Sequence, residues 1–398
     1  MNPNPDPQAL RAHVGTDAAT ARFVGRAHDP AADGPCVVTV HDGQVFDITS
    51  RATPTVRDLI ETGEPAAVRD AALARGARPL GTVQDLLRNS WPALRDGGKP
   101  WLLAPLDLQA VKAAGVTFAE SLLERVIEEQ SHGDPAAAEA ARAEVLATIG
   151  GALGELVPGS PRAEELRAWL VERGLWSQYL EVGIGPDAEV FTKCQPLAAV
   201  GYGAAVGVLA SSKWNNPEPE VVLVVDSRGA IVGATLGNDV NLRDVEGRSA
   251  LLLGRAKDNN ASAAIGPFVR LFDEGFGLDD VQRLSVTLHI EGEDGFVLEG
   301  VNHMRKISRR PADLVAAAIG PHHDYPDGLC LYLGTMFAPV QDRDGPGQGF
   351  THHPGDRVTI ACPQLGALVN HVQAAESCER WRFGAAALMR NLAARGLL

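Results

Sequence analysis

Apolar positions in the first quarter of the chain fall into short runs with two different periods. Residues 36–40 and 44–48 are β-branched and apolar, and His41-Asp42-Gly43 between them has the chemistry of a hairpin turn. Residues 56–60 and 83–87 space their apolar side chains as helices do. Together they predict a small N-terminal α+β domain over residues 1–100. Residues 120–130, 135–153 and 162–173 are rich in Ala, Leu, Glu and Arg at helical spacing, with breakers at Gly133, Pro158 and Gly159. They predict a helical insertion within residues 101–180, whose helices serve packing or an oligomer surface. After residue 181 strand patterns dominate, clearest at 221–225, 231–236, 285–290, 296–298 and 358–361. One helix near 311–319 interrupts them, with Pro311 at an early position and Gly320-Pro321 to stop it. The fold class expected is α+β, with residues 181–398 as a mainly β unit, a mixed sheet curled into a barrel or roll. No self-similar period occurs, which excludes a solenoid.

Composition narrows the functions available. The 398 residues are 45% hydrophobic and 22% charged, the balance of an ordinary globular protein. The 36 Lys and Arg against 50 Asp and Glu leave a formal charge of −14, which repels nucleic acid and anionic lipid. An anionic substrate would therefore need a metal ion or a local cluster of Lys and Arg. The five cysteines (Cys36, Cys194, Cys330, Cys362, Cys378) form no C-x-x-C pair and suit reduced thiols in a cytoplasmic protein. The start, Met1-Asn2-Pro3-Asn4-Pro5, lacks the features of a signal peptide, and the longest apolar run, 197–210, is too short for a membrane span and carries three glycines.

The densest chemistry lies in Glu218-Pro219-Glu220 and the residues that follow it. Two carboxylates one residue apart in extended chain project from the same face, and the prolines place them at a strand entrance or edge. A turn about Ser227 and Arg228 would fold the chain back through 231–236 into Gly237-Asn238-Asp239. Asp239 then returns to within roughly two rungs of Glu218, at about 4.8 Å per strand. Three carboxylates together require a cation, and all-oxygen ligation suits Mg²⁺ or Mn²⁺. The competing reading is a pair of solvated edge-strand charges that discourage aggregation.

Other signals are set aside. Gly201-Tyr202-Gly203-Ala204-Ala205-Val206-Gly207 has its third glycine one place late for a dinucleotide loop and reads as a turn. The pairs His322-His323 and His352-His353 point to opposite faces if extended, which argues against joint ligation. Residues 342–349 place a glycine too early for a calcium loop and read as a Gly-rich loop beside the site.

In order along the chain stand Glu218-x-Glu220, Asn238-Asp239, Arg243-Asp244, Lys257 and Gly266-Pro267. This array resembles the fumarylacetoacetate hydrolase family, whose hallmark is E-x-E, N-D-x-x-x-R-D, a lysine and G-P. The likeness extends to residues 332–337 and to Glu189-Val190-Phe191-Thr192-Lys193, and covers about 102–398. Trp176-Ser177-Gln178-Tyr179-Leu180-Glu181, residues 256–268 and residues 339–343 resemble one branch, the 2-keto-3-deoxypentonate dehydratases.

The resemblance implies that Glu218, Glu220 and Asp239 hold Mg²⁺, with Mn²⁺ as an alternative, and that a 2-keto sugar acid chelates it through its C2 carbonyl and one carboxylate oxygen. Lys257 and Thr335 would bind the carboxylate or the developing enolate, with Asn260 among the substrate-binding residues. Arg243 falls in the same group, although a place behind the metal carboxylates suits it better. Glu189 falls on the general acid/base position of the dehydratases and would take the C3 proton. Hydrolytic relatives carry G-x-N-Y-x-x-H-x-x-E, whereas Gly115 to Glu124 here keeps the glutamate, Glu124, as a catalytic candidate and puts Ser121 in the histidine's place. Serine alone is no general base, so elimination of water is expected over carbon–carbon hydrolysis. The expected reaction is dehydration of a 2-keto-3-deoxypentonate to 2-oxoglutarate semialdehyde, by a homodimer or homotetramer. The alternatives are a metal-dependent hydrolase that releases pyruvate from a 2,4-diketo acid, and a catalytically silent scaffold.

Overall fold

The computed structural model describes residues 21–132, 134–145, 156–337 and 339–398. Gly133, the far end of the helix expected over 135–153 and the N-terminal segment before residue 21 lie outside the described residues.

Eleven strands form one mixed sheet. Its path runs Arg78–Thr82, Gln44–Asp47, Gly34–His41, Phe23–Asp29, Ala263–Leu271, Ile231–Asp239, Pro219–Val225, Leu329–Tyr332, Ala110–Gly115 and Glu189–Cys194, with Trp101–Leu102 added on Phe23–Asp29. The hairpin expected at residues 41–43 is present: His41 pairs with Gln44, and Asp42 and Gly43 take the left-handed φ values of 48° and 72° that a tight two-residue turn requires. The N-terminal strands join the rest directly, because Phe23 and Val24 pair with Arg270 and Val269.

A second sheet of five strands runs Val297–His303, Ser285–Glu291, Arg357–Cys362, Gly366–Ala374 and Ala205–Val208. It packs on the large sheet through one shared core that contains Val221, Leu223 and Val225 together with Val286, Leu288, Ile360 and Val369. Val222 and Val224 point the other way, into a second core with Val24, Leu59, Ile265 and Tyr332. Burial on both faces is why 221–225 reads as an unbroken apolar run rather than an alternating one. The α+β class holds. The barrel does not, since among the described residues no pairing joins the two ends of the large sheet's path, and the β region is two sheets packed face to face.

The helices Ala119–Gln130, Pro135–Val145, Pro161–Glu172 and Gln178–Ile184 carry a separate core built on Leu122, Val126, Ile127, Leu170, Leu180 and Trp214. Ser160 and Ser177 cap two of them by accepting the backbone N–H of Ala163 and Leu180. The expected helix near 311–319 is Pro311–Ala318, but it is not alone after residue 181: Leu253–Lys257, Leu278–Val281 and Ala385–Ala394 are helical as well. Of the turn read at 201–207, residues 202–203 form a turn and 205–207 open the strand Ala205–Val208. No described helix is long and apolar enough to cross a membrane.

Candidate metal centre

The centre is built on one hairpin. Pro219 pairs with Asn238 and Glu220 with Gly237, and the Asp239 N–H donates to the Glu218 carbonyl at 3.1 Å. Glu218 and Glu220 alternate onto one face, and Asp239, opposite Glu218, shares it. Their carboxylate oxygens lie within 4.8 Å of one another, and all three residues are buried. The edge-strand reading of Glu218-Pro219-Glu220 is overturned. Pro219 opens a strand held between Ile231–Asp239 and Leu329–Tyr332, deep in the sheet. Asn238 earns its place beside Asp239 by accepting the Glu218 N–H at 3.1 Å, which locks the hairpin at the site.

The three carboxylates have unequal company. Lys257 Nζ lies 2.5 Å from Glu218 Oε2 and 3.1 Å from Asp239 Oδ2. Lys193 Nζ lies 2.8 Å from Asp239 Oδ1 and donates to the carbonyls of Val240, at 3.0 Å, and Lys257. Burial works against ionisation of Asp239, but these two lysines outweigh it and hold its carboxyl below the usual range. Burial likewise opposes the charge on Lys257, and Asp239 and Glu218 hold it above its ordinary value. Glu220 forms no close ion pair with Lys or Arg among the described residues, although the Lys257 charge acts on it; its Oε2 accepts the Gly334 N–H at 2.6 Å. Burial first, then Asp239 and Glu218, push the Glu220 carboxyl well above its usual range. A divalent cation relieves that repulsion, and three buried carboxylate oxygens are donors for a hard ion. The residues therefore fit Mg²⁺. A second acidic grouping, Asp29 and Asp47 beside Cys36, is already spanned by Arg78.

Around this centre lies a narrow pocket walled by Glu189, Phe191, Lys257, Thr335, Arg125 and Glu246. Glu189 opens its strand opposite Gly115, and any Cβ at position 115 would sit 1.9 Å from Glu189 Oε2, so the glycine makes room for the carboxyl. Burial, followed by the nearby Glu246 charge, lifts Glu189 to about 7. Glu189, Phe191 and Lys193 alternate onto one face of that strand, so the carboxyl, a ring and a structural cation reach the site together. Thr335 also lines the pocket, its Oγ1 accepting the Phe337 N–H at 3.2 Å. Ser121 stands in the wall with its hydroxyl donated to the Phe118 carbonyl at 3.0 Å.

Three expected roles change. Arg243 does not touch the metal carboxylates: it bonds Glu128 at 2.6 Å, Glu124 at 3.0 Å and the Pro339 carbonyl at 3.2 Å, and covers the Trp214 ring at 4.1 Å. Glu124 is engaged by Arg142 and Arg243, which hold it as a charge partner rather than leave it free as a base. Asn260 turns away from the pocket. Ala261, with φ of 60°, redirects the chain after Lys257, and the Asn260 amide donates to the carbonyls of Ala375 and Glu379 beside a separate cavity of about 350 Å³.

Two residues at the site escaped the reading of the sequence. Arg125 touches Glu218, Glu128 at 2.6 Å and Glu246 at 3.0 Å, and so ties the helix Ala119–Gln130 to the centre. Glu246 ends a four-residue helix that starts at Arg243. The only local signals were the i,i+3 spacings Arg125 to Glu128 and Arg243 to Glu246, which resemble ordinary surface pairs.

A family profile described as "Fumarylacetoacetate (FAA) hydrolase C-terminal" matches residues 173–373. The chain belongs to the fumarylacetoacetate hydrolase family. It is similar to a 2-dehydro-3-deoxy-D-arabinonate dehydratase of Saccharolobus solfataricus, 32% identical over 46% of this chain and 58% of the relative. It is also similar to a probable 2-keto-3-deoxyxylonate dehydratase of Haloferax volcanii, 31% identical over 50% of this chain and 65% of the relative. The matched part thus spans less than two thirds of either relative. Among solved structures, 2-keto-3-deoxy-D-arabinonate dehydratase complexed with magnesium and 2,5-dioxopentanoate shares the fold, with a TM-score of 0.60 and 22% identity over 88% of this chain and 99% of that one.

Proposed function

We propose that the protein is a Mg²⁺-dependent hydro-lyase that converts a 2-keto-3-deoxypentonate, such as 2-keto-3-deoxy-D-xylonate or D-arabinonate, to 2-oxoglutarate semialdehyde and water. The observation that carries this reading is the buried trio of Glu218, Glu220 and Asp239 facing Glu189, a carboxyl poised near neutrality. The named relatives support it, as does the complex of a structural neighbour with magnesium and 2,5-dioxopentanoate, which is another name for 2-oxoglutarate semialdehyde.

Glu218, Glu220 and Asp239 would hold the ion, with Mn²⁺ as a substitute. When bound, it supplies a Lewis acid that acidifies the C3 protons of a 2-keto acid. Lys257 and Thr335, which line the pocket, would bind the substrate carboxylate, and Lys257 brings positive charge among its carboxylates. Glu189 transfers protons. Because the serine at 121 is turned into the Phe118 carbonyl, no imidazole or free hydroxyl is at hand there to activate water for carbon–carbon cleavage. The assembly that fits this reading is a homodimer or homotetramer, which light scattering would measure.

Incubation with Mg²⁺ and 2-keto-3-deoxy-D-xylonate should yield 2-oxoglutarate semialdehyde, and chelation should stop it. Pyruvate from a 2,4-diketo acid would favour the hydrolase instead, and binding without turnover would favour a silent scaffold.

A further inference from the structure

The separate cavity of about 350 Å³ shares no residue with the pocket around the metal centre. Lys257 lines that pocket, whereas Asn260 and Ala261, a few residues on, line this cavity. Its walls include His28 of the strand Phe23–Asp29, Trp101 of its partner strand, and the exposed segment 379–383. Asn260 holds that segment in place, because its amide donates to the carbonyls of Ala375 and Glu379 at 3.1 and 3.2 Å.

The lining runs against the charge of the chain. Arg95, Arg380 and Arg382 form no ion pair among the described residues and face one carboxylate, Glu379, inside a chain of formal charge −14. Arg26, also in the wall, is committed to Asp107 at 3.8 Å and to the carbonyls of Ala104 and Leu106 at 3.3 and 2.8 Å. The half-buried Arg95 lies 4.9 Å over the Trp101 ring and donates to the Ser90 carbonyl at 2.9 Å, while its Nη1 makes no hydrogen bond among the described residues. His28 stacks on Trp101 at 4.1 Å, and its buried Nδ1 is likewise without a partner there. Trp381 and Phe383 are 48% and 36% exposed, and neither packs on another ring or cation among the described residues. The Trp381 indole N–H donates to the Phe383 carbonyl at 3.1 Å, which orients the indole. Large apolar rings left bare at a cavity cost hydrophobic free energy until something covers them. An inorganic anion would answer the arginines and leave the rings bare, and a neutral aromatic would do the reverse.

We propose that this cavity binds a small dianion joined to a flat aromatic ring, the chemistry of a nucleoside monophosphate, with the anion on Arg95, Arg380 and Arg382 and the ring against Trp381. Guanidinium groups pair with phosphate through parallel N–H bonds, and an indole stacks on any base. The cavity is of a size that holds such a ligand. Binding there does not depend on the dehydratase reading, because no residue is shared with the metal centre.

Titration calorimetry of the full-length chain with AMP tests this, in buffer containing EDTA so that no Mg²⁺–nucleotide complex forms. The expected Kd is about 0.1 mM or tighter, and about tenfold or more below that of inorganic phosphate or adenosine alone. Arg382→Ala and Trp381→Ala, both at exposed positions, should each weaken AMP about tenfold or more while the melting temperature stays at the wild-type value. Should Trp381→Ala lose stability, Trp381→Phe keeps a ring and should shrink the quenching of tryptophan fluorescence by AMP. Absence of binding at about 5 mM AMP overturns the assignment, as does either half of the nucleotide binding as tightly as the whole. So does unchanged AMP affinity in Arg382→Ala or Trp381→Ala. If AMP does not bind and light scattering shows an oligomer that Trp381→Ala dissociates, the face belongs to a second copy of this chain, and the ligand site is refuted.

Discussion

Glu220 and Glu218 are separated by one proline and have opposite surroundings. Glu218 is flanked by Lys257 and Arg125, whereas Glu220 accepts one backbone N–H and forms no close ion pair among the described residues. Glu220 is thus the carboxylate with most to gain from a metal ion. Glu220→Gln should abolish turnover and the Mg²⁺-induced rise in melting temperature while leaving the metal-free fold intact. Retained activity without metal would overturn the trio as a metal site. Glu189 makes a pH prediction whose sign follows from its lift from 4.5 to about 7. A carboxyl raised in the folded chain binds its proton more tightly there than in the unfolded chain. Its contribution to stability is fully present below about pH 4.5 and is lost as pH rises through about 7. Wild-type protein should therefore lose melting temperature relative to Glu189→Gln across that window, and a constant difference would refute the assignment.

At the scale of elements, the hairpin brings the three carboxylates together and the helix Ala119–Gln130 braces them. That helix presents Arg125 and Glu128 inward, and Arg243 reaches it from the short helix after the hairpin through Glu124 and Glu128. Arg243 is buried, so its loss leaves Glu128 with one partner fewer in a low-dielectric place. Arg243→Leu should cost about 3–5 kcal/mol in urea unfolding, the range for breaking a buried ion pair. Arg343 and Asp356 form a comparable clasp, at 2.6 and 2.7 Å, with His352 on the same carboxylate at 3.2 Å. It pins the loop after Thr335 to the strand Arg357–Cys362. Burial opposes the Asp356 charge, but Arg343 and His352 hold this carboxyl well below its usual 3.8. Its stabilisation is therefore present above about pH 3.8 and lost as pH falls further. Asp356→Asn should flatten the acid limb of the wild-type stability curve.

Across the whole molecule, continuity of the large sheet matters more than the change of pattern along the chain. Phe23–Asp29 hydrogen-bonds to Ala263–Leu271, which in turn pairs with the ligand-bearing Ile231–Asp239. Residues 21–100 and the β region therefore share backbone pairing and two cores. Calorimetry should show them melting in one transition, and a separate early transition for the N-terminal strands would count against this coupling.

The sequence by itself determined most strands and the meeting of three carboxylates, because both obey local rules, whereas the helices Pro65–Ala74 and Ala385–Ala394 went unread. Period two carries Glu218 and Glu220 to one face, and the turn at 226–229 is short enough to return Asp239 beside them. The dense polar run at 238–262 marked a site in its own right. Tertiary structure alone decided what surrounds the trio. Arg125 lies 93 positions from Glu218 and Arg243 lies 115 from Glu128, and no periodicity reports contacts at such separation. It also turned Asn260 away, through one left-handed residue, and tied Glu124 to two arginines. The sheets stayed open for the same reason. Closure depends on which distant strands meet at the ends of the path, and alternation within a strand carries no information about that.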